Sequence, residues 1–301
     1  MKAAKIRTDT IPVDPGVDST LALLREGYLF ISNHCRRLES DAFRTRLFGR
    51  SVVCMSGREA AELFYDESRF QRSGAVPGRV LKTLLGRGGV QTLDGPAHRH
   101  RKTMFMALMG RERLDDLATL ARACWRMYAA RWMTRERVTL FSEALELHCR
   151  IASGWAGVPV SEAERPLLAR DLWALVEAAG EPLGPHYWRG RTARRRTERW
   201  ARGLVRQVRV GKIEAPIDCA LGTVAYHRGL DGRLLDEAVA AVELINVLRP
   251  MVAVAGYAVF AALAMIDHPE CRRRIREEGE AYLSLFVDEV RRYYPFAPFV
   301  A

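Results

Sequence analysis

The sequence predicts a mainly α protein, α+β in class, in which a small β-containing region at the N-terminus precedes a large helical body. Three observations carry that prediction. The two runs with β character, Tyr28–Ser32 (YLFIS) and Ser51–Met55 (SVVCM), both lie near the start of the chain. From about residue 78 onward apolar residues recur at helical spacing, as Leu117, Ala121, Cys124, Trp125, Tyr128 and Trp132 do. No internal repeat or long low-complexity linker interrupts the 301 residues, which are enough for one large domain or two small ones. Along the chain, 1–77 forms an N-terminal arm and β-containing region, and 78–301 the helical region.

In chain order, Pro12 and Pro15 break an extended arm, and Ser19–Glu26 reads as a short helix ending at Gly27. The two strands follow. Ser56 and Glu59 then make a capping-box pattern at the head of an amphipathic helix. His268–Pro269 opens another helix, because proline is well tolerated in a first turn. The stretch Val242–Met265 reads as a core helix, yet Arg249 and Pro250 stand in its middle. Proline removes a backbone donor and crowds the carbonyl of Asn246, so a kink is expected there.

Composition narrows the function classes. A formal net charge of +11 favours anionic partners. The six cysteines (Cys35, Cys54, Cys124, Cys149, Cys219, Cys271) are scattered, with no C-x-x-C pair and no zinc-type Cys/His spacing. They read as small buried hydrophobes in a reducing compartment, and a cytoplasmic location is expected. The N-terminal residues lack the apolar core of a secretory signal. The uncharged run Met251–Ile266 is short against the roughly 20 residues of a spanning helix, so no transmembrane segment is expected.

Four constellations could carry chemistry. His98 and Lys102 sit one turn apart on one helix face and could grip a paired anion; the alternative is a solvated basic helix start. Arg195, Arg199, Arg202, Arg206 and Arg209 line another helix face, either as a nucleic-acid patch or as an ordinary solvated one. Glu289 and Arg292 are spaced for an ion pair within one helix. Arg249 is the most demanding of the four. A buried guanidinium must be satisfied, and Glu243 points about 120° away from it on the same helix. Arg249 is therefore either paired with a distant acid, such as Glu289, or a seat for a carboxylate carried on an apolar tail.

In this order, LLREGYLFIS, FYDESRFQR, VQTLDGPAHRHRK, CRIASGWAGVPV, GPHYWRGRTARRR, AAVELINVLRPMVAVA and EVRRYYPFAPF resemble the cytochrome P450 superfamily. The likeness is to its bacterial branch of hydrogen-peroxide-using fatty-acid hydroxylases, and it runs from Leu21 onward. It implies the P450 fold, as a single domain over 1–301, with a haem b cofactor in the complete protein. By resemblance, Glu289 and Arg292 are the structural E-x-x-R pair, and His98 and Lys102 contact the haem propionates with Arg72 and Tyr294 as helpers. Arg249 and Pro250 stand where oxygen-using relatives keep an acid–alcohol pair. In this branch the arginine holds the substrate carboxylate, which itself acts as acid–base toward peroxide. Leu85, Gln91, Phe296 and Phe299 align with substrate-binding positions.

The partners so implied are a long-chain fatty acid, hydroxylated at its α or β carbon, and hydrogen peroxide. No dedicated redox partner and no nucleic acid are expected. None of the six cysteines has the Gly-rich context of the axial ligand, so no metal ligand is assigned and the chain is expected to be C-terminally incomplete and inactive by itself. The competing readings are a non-redox helical binder of apolar carboxylates and a basic nucleic-acid-binding protein.

Overall fold

The computed structural model describes residues 11–181, 184–294 and 296. They form two compact units, 11–71 with Phe296 and 72–294. Phe299, one of the expected substrate contacts, lies outside the described residues.

In the first unit, α1 (Thr20–Glu26) ends at Gly27, whose φ of 54° takes the chain out of the helix. A 3-10 turn over Gly27–Leu29 leads into α2 (Phe30–Arg37). The expected strand at Tyr28–Ser32 is therefore helical. The reason is visible in what it buries: Phe30, His34 and Cys35 recur at helical spacing and pack on Phe43 and Cys54. The β-type residue content of that run loses to the period of the longer segment.

The expected strand at Ser51–Met55 is present as β2 (Arg50–Met55) and pairs antiparallel with β1 (Ala42–Leu47), in the register Ala42 to Met55. Phe48 and Gly49 make the connection with φ of 52° and 75°, the left-handed pair that suits a two-residue hairpin. Sequence reading passed over β1 because its exposed positions are Arg44 and Arg46. Phe43 and Thr45 alternate inward between them.

Helix α3 (Arg58–Phe64) follows, with Gly57 as its N-cap and no side-chain cap. The Ser56–Glu59 capping box does not form. The helix begins one residue later than that box requires, which leaves Glu59 in the second helical position.

The second unit starts with the short α4 (Gly78–Val80), a π turn over Leu81–Leu85 and a 3-10 turn over Val90–Thr92. The remaining helices are α5 (Gly95–Leu108), α6 (Arg111–Met133), α7 (Leu140–Ala156), α8 (Arg165–Gly180) and α9 (Pro185–Arg209). They continue with α10 (Ala220–Tyr226), α11 (Glu237–Ala253), α12 (Ala255–Asp267), α13 (Pro269–Glu278) and α14 (Glu280–Tyr293). Proline occupies the first turn of α5, α8, α9 and α13, where its missing N–H leaves nothing unpaired. The expected apolar face of α6 packs Cys124 and Tyr128 on Leu147 and Ile151 of α7.

Helix α11 is the axis of this unit, packed against α7, α8, α9 and α10. Every residue from 240 to 248 is buried, with Leu244, Ile245 and Leu248 in contact with the α7–α10 core. Residues Glu237–Asp267 are long and apolar enough to cross a bilayer by length and composition. The burial of 240–248 inside the protein is what a core helix of a globular body shows. Pro250 lies inside α11 and is exposed, so its ring does not crowd the core. The helical run is interrupted at Val254, one turn after the expected kink. The Val254 N–H donates to the Pro250 carbonyl at 3.3 Å, so the ladder continues across the interruption.

Candidate functional site

Val242, Asn246 and Arg249 share one face of α11, because residues four and three apart stack along a helix. The segment 81–91 and α9 lie against that face. The Gly86 N–H donates to the Leu81 carbonyl at 2.9 Å, which closes the π turn. Gly86 has φ 81°, and a Cβ there would overlap the Arg194 guanidinium and approach Val242 Cγ1 to 2.7 Å. At Gly89 a Cβ would come within 2.9 Å of Asn246 Nδ2. Both glycines are thus conditions for laying this backbone directly on α11.

A buried polar network occupies the N-terminal part of the face. Glu243 is fully buried and accepts hydrogen bonds from Arg101 Nη1 at 2.8 Å and Asn246 Nδ2 at 3.2 Å. Burial pushes its carboxyl pKa up, while Asn246, Arg101 and the Val90 N–H oppose that shift. Asn246 Nδ2 also donates to Gln91 Oε1 at 3.2 Å, so Gln91 is anchored to the same helix. Leu85 ends the π turn, half-buried.

Arg194 of α9 is 2% exposed and donates through Nε to Glu198 at 2.6 Å and through Nη1 to the Leu84 carbonyl at 3.2 Å. Its Nη2 is buried without a partner, as is Asn246 Oδ1.

Arg249 comes one turn after Asn246. Part of the residue is accessible, but Nε is enclosed and makes no hydrogen bond, and no acid pairs with it among the described residues. Burial, and secondly the positive charge of Arg194, holds its pKa down to about 10. Its charge is desolvated by surrounding protein even though part of its surface stays open. Glu289 is not its partner. It accepts instead from Arg292 at 2.6 and 2.7 Å, and both side chains are exposed.

The second predicted cluster lies on α5. His98 is buried and Lys102 exposed, one turn apart, and the Lys102 ammonium has no ion-pair partner among the described residues. Asp94 accepts the backbone N–H groups of Arg72 at 2.6 Å and Ser73 at 3.0 Å, which fixes Arg72 beside the start of α5. Those bonds also lower the Asp94 pKa. Tyr294 stacks on Phe260 of α12 at 4.9 Å, in a cluster with Phe286 and Val290 of α14. Phe296 belongs to the first unit, where its carbonyl accepts from the Tyr28 hydroxyl at 3.4 Å.

The residues present fit one end of a haem. A histidine and an unpaired lysine on one helical face suit a pair of propionates. The iron end is different. Burial pushes the thiols of Cys35 and Cys124 up, Cys54 to about 11 and Cys149 to about 12. Cys271 accepts a hydrogen bond from Tyr282, and Cys219 is buried at the N-cap of α10. Burial thus disfavours the thiolate at Cys35, Cys54, Cys124 and Cys149, and no metal-ligating cluster occurs among the described residues.

Sequence reading brought out Arg249, His98 and Lys102. It gives no site role to Arg101, Arg194 or Asn246, each of which has a partner more than 100 positions away: Glu243, the Leu84 carbonyl and Gln91 respectively. The one legible sign was the buried position of Asn246 in an otherwise apolar run.

No protein-family model matches the chain. Among curated proteins it is 23% identical to cytochrome P450 85A1 of Oryza sativa subsp. japonica in an alignment of 286 residues that covers 88% of this chain and 57% of that protein. The chain thus spans little more than half the length of that relative. Among solved structures, cytochrome P450EX alpha (CYP152N1) with myristic acid is 41% identical with a TM-score of 0.88, over 95% of this chain and 68% of that one. Cytochrome P450SP alpha (CYP152B1) in complex with (R)-ibuprophen is 44% identical with a TM-score of 0.89, over 93% and 68%. A variant of cytochrome P450 OleT in complex with arachidonic acid is 33% identical with a TM-score of 0.92, over 97% and 70%. At that identity and coverage, the chain belongs to the cytochrome P450 superfamily, in the CYP152 peroxygenase branch that these solved proteins represent.

Proposed function

We propose that the complete protein is a haem-thiolate peroxygenase that hydroxylates long-chain fatty acids at the α or β carbon with hydrogen peroxide. The observation that carries this reading is Arg249, a desolvated guanidinium with no acid of its own on the central helix. Such a group is stabilised by the ligand it lacks. A carboxylate forms a charge-assisted, bidentate pair with it, and the apolar wall of α11 suits a hydrocarbon tail.

In this reading Arg249 binds and orients the carboxylate, and that pinned carboxylate is the group that takes and returns a proton. Pinning it fixes the α and β carbons, which sets the position of attack through proximity. Pro250 follows Arg249 and adds no donor that would compete for the carboxylate. Gln91, held by Asn246, and Leu85 border the substrate. His98 and Lys102 hold the haem propionates, helped by Arg72 and Tyr294, and Glu289–Arg292 is a structural pair. Haem, when bound through a thiolate, supplies the activation of peroxide. The protein works in the cytoplasm and needs no dedicated redox partner.

The test separates charge from tail. Arg249→Leu is expected to weaken myristate binding about 10- to 100-fold while leaving myristyl alcohol unchanged, measured by calorimetry. Equal losses for both ligands, or none, would remove the carboxylate from the argument. These 301 residues alone are expected to show no turnover with myristate and peroxide, since none of their six cysteines has the Gly-rich sequence context of the axial ligand. That same observation favours a second reading, a non-redox binder of apolar carboxylates. A Soret band typical of thiolate-bound haem in the complete protein decides against it.

A further inference from the structure

Helix α9 carries nine arginines between Arg189 and Arg209 and a single acid, Glu198. Six of the nine are used internally. Arg189 pairs with Glu177, Arg194 with Glu198, Arg196 with Asp171 and Arg206 with Glu237. Arg191 donates to the Lys82 carbonyl at 3.2 Å, and Arg209 to the carbonyls of Ala225 at 2.9 Å and Leu235 at 2.7 Å.

Arg195, Arg199 and Arg202 remain. All three are exposed, and none has a hydrogen-bond or ion-pair partner among the described residues. The field of Arg202 reaches Glu237, but that carboxylate is engaged by Arg206. At 100° per residue the three fall within an arc of about 60°, and Trp188 falls in the same arc. Trp188 is 67% exposed and touches Tyr187 edge-on at 5.2 Å. The opposite face of α9, with Ala193, Thr197, Ala201, Leu204 and Val205, is buried, so the helix cannot turn its arginines inward.

We propose that this face of α9 docks on an anionic lipid surface. Trp188, Arg195, Arg199 and Arg202 lie along one face of a single helix over about 21 Å, so a planar array of negative headgroups can meet all of them at once. Trp188 supplies the amphipathic ring that settles at headgroup depth, and the three guanidiniums supply the Coulombic attraction. Contrast α13, where Arg272, Arg273 and Arg276 are also exposed but are interleaved with Glu270, Glu277 and Glu278. That pattern is a solvated mixed surface. The proposal stands independently of the reaction assigned above, since it rests on unpaired surface charge and not on Arg249.

Co-sedimentation of the whole chain with vesicles tests it. The chain is expected to bind phosphatidylglycerol–phosphatidylcholine vesicles, to leave pure phosphatidylcholine in solution, and to lose binding as salt is raised. The triple variant Arg195→Gln, Arg199→Gln, Arg202→Gln is expected to bind about 100-fold more weakly. The variant Arg272→Gln, Arg273→Gln, Arg276→Gln is expected to match the parent, and equal circular dichroism and melting confirm that both variants fold. Trp188→Phe is expected to remove a blue shift of tryptophan fluorescence that accompanies binding. Equal losses in the two triple variants would reduce the effect to net charge and overturn the proposal. So would binding of a DNA oligonucleotide through the same three arginines without binding to vesicles.

Discussion

Two of the charged residues on the central helix, Glu243 and Arg249, lie under two turns apart and have opposite circumstances. Glu243 is fully enclosed and reached by Arg101, Asn246 and the Val90 N–H, each from a different part of the chain or turn. Arg249 is less enclosed and has no acid among the described residues. A charge in a core helix therefore says little by itself. Its partners decide whether it braces the fold or waits for something the fold does not contain.

The largest expected effect breaks the braced side. Glu243→Ala leaves Arg101 facing the core and is expected to cost about 3–5 kcal/mol in urea unfolding. A loss under about 1 kcal/mol would show that the network is ornamental. Next comes the backbone that lies on α11. Gly86→Ala forces a side chain into a left-handed position against Arg194 and is expected to cost about 1–3 kcal/mol. The loss should shrink in an Arg194→Met background; an undiminished loss would assign it to φ alone.

Arg249 is expected to behave in the opposite sense. Arg249→Leu should raise stability by about 1–2 kcal/mol, because the guanidinium is held in a place that disfavours its charge. Lowered stability would mean that it already has a structural partner. A smaller effect concerns a buried group kept neutral. Burial holds the His148 pKa below 6.5, so the unfolded chain takes up a proton that the folded one refuses as pH falls through that value. Stability contributed by the neutral ring is present above pH 6.5 and lost below it. Melting curves from pH 7.5 to 5 should decline less steeply in His148→Leu than in the parent. The smallest effect is expected at Glu289→Ala. With both members of its pair exposed, the melting temperature of this chain should not change measurably.

Much of this arrangement was legible in the residues. Helical periodicity located the face of α6, apolar composition the core run of α11, and proline's place in a first turn the start of α13 at His268–Pro269, since each depends on residues within one element. Arg249 stood out because a guanidinium in an apolar run has few explanations. What stayed hidden depends on distant residues or on register. Arg101 lies between His98 and Lys102 yet points to a glutamate 142 positions away, and no local pattern announces that. Tyr28–Ser32 had strand-like composition, but its fate was settled by what Phe30 and His34 could bury on Phe43. The arginines of α9 read as one stripe of five, and only the geometry separates Arg206 and Arg209, which are engaged, from the three that are not.

The π turn at Leu81–Leu85 holds one residue more per turn than an α-helix would, and it sits immediately before the glycine that touches α11. That extra residue works as a phase setting. Removing one position there would let the turn relax to α geometry and swing Leu85 by about 100° around the axis, with no change in side-chain chemistry. Length, more than residue identity, is then the quantity to vary in changing how this segment lies on α11.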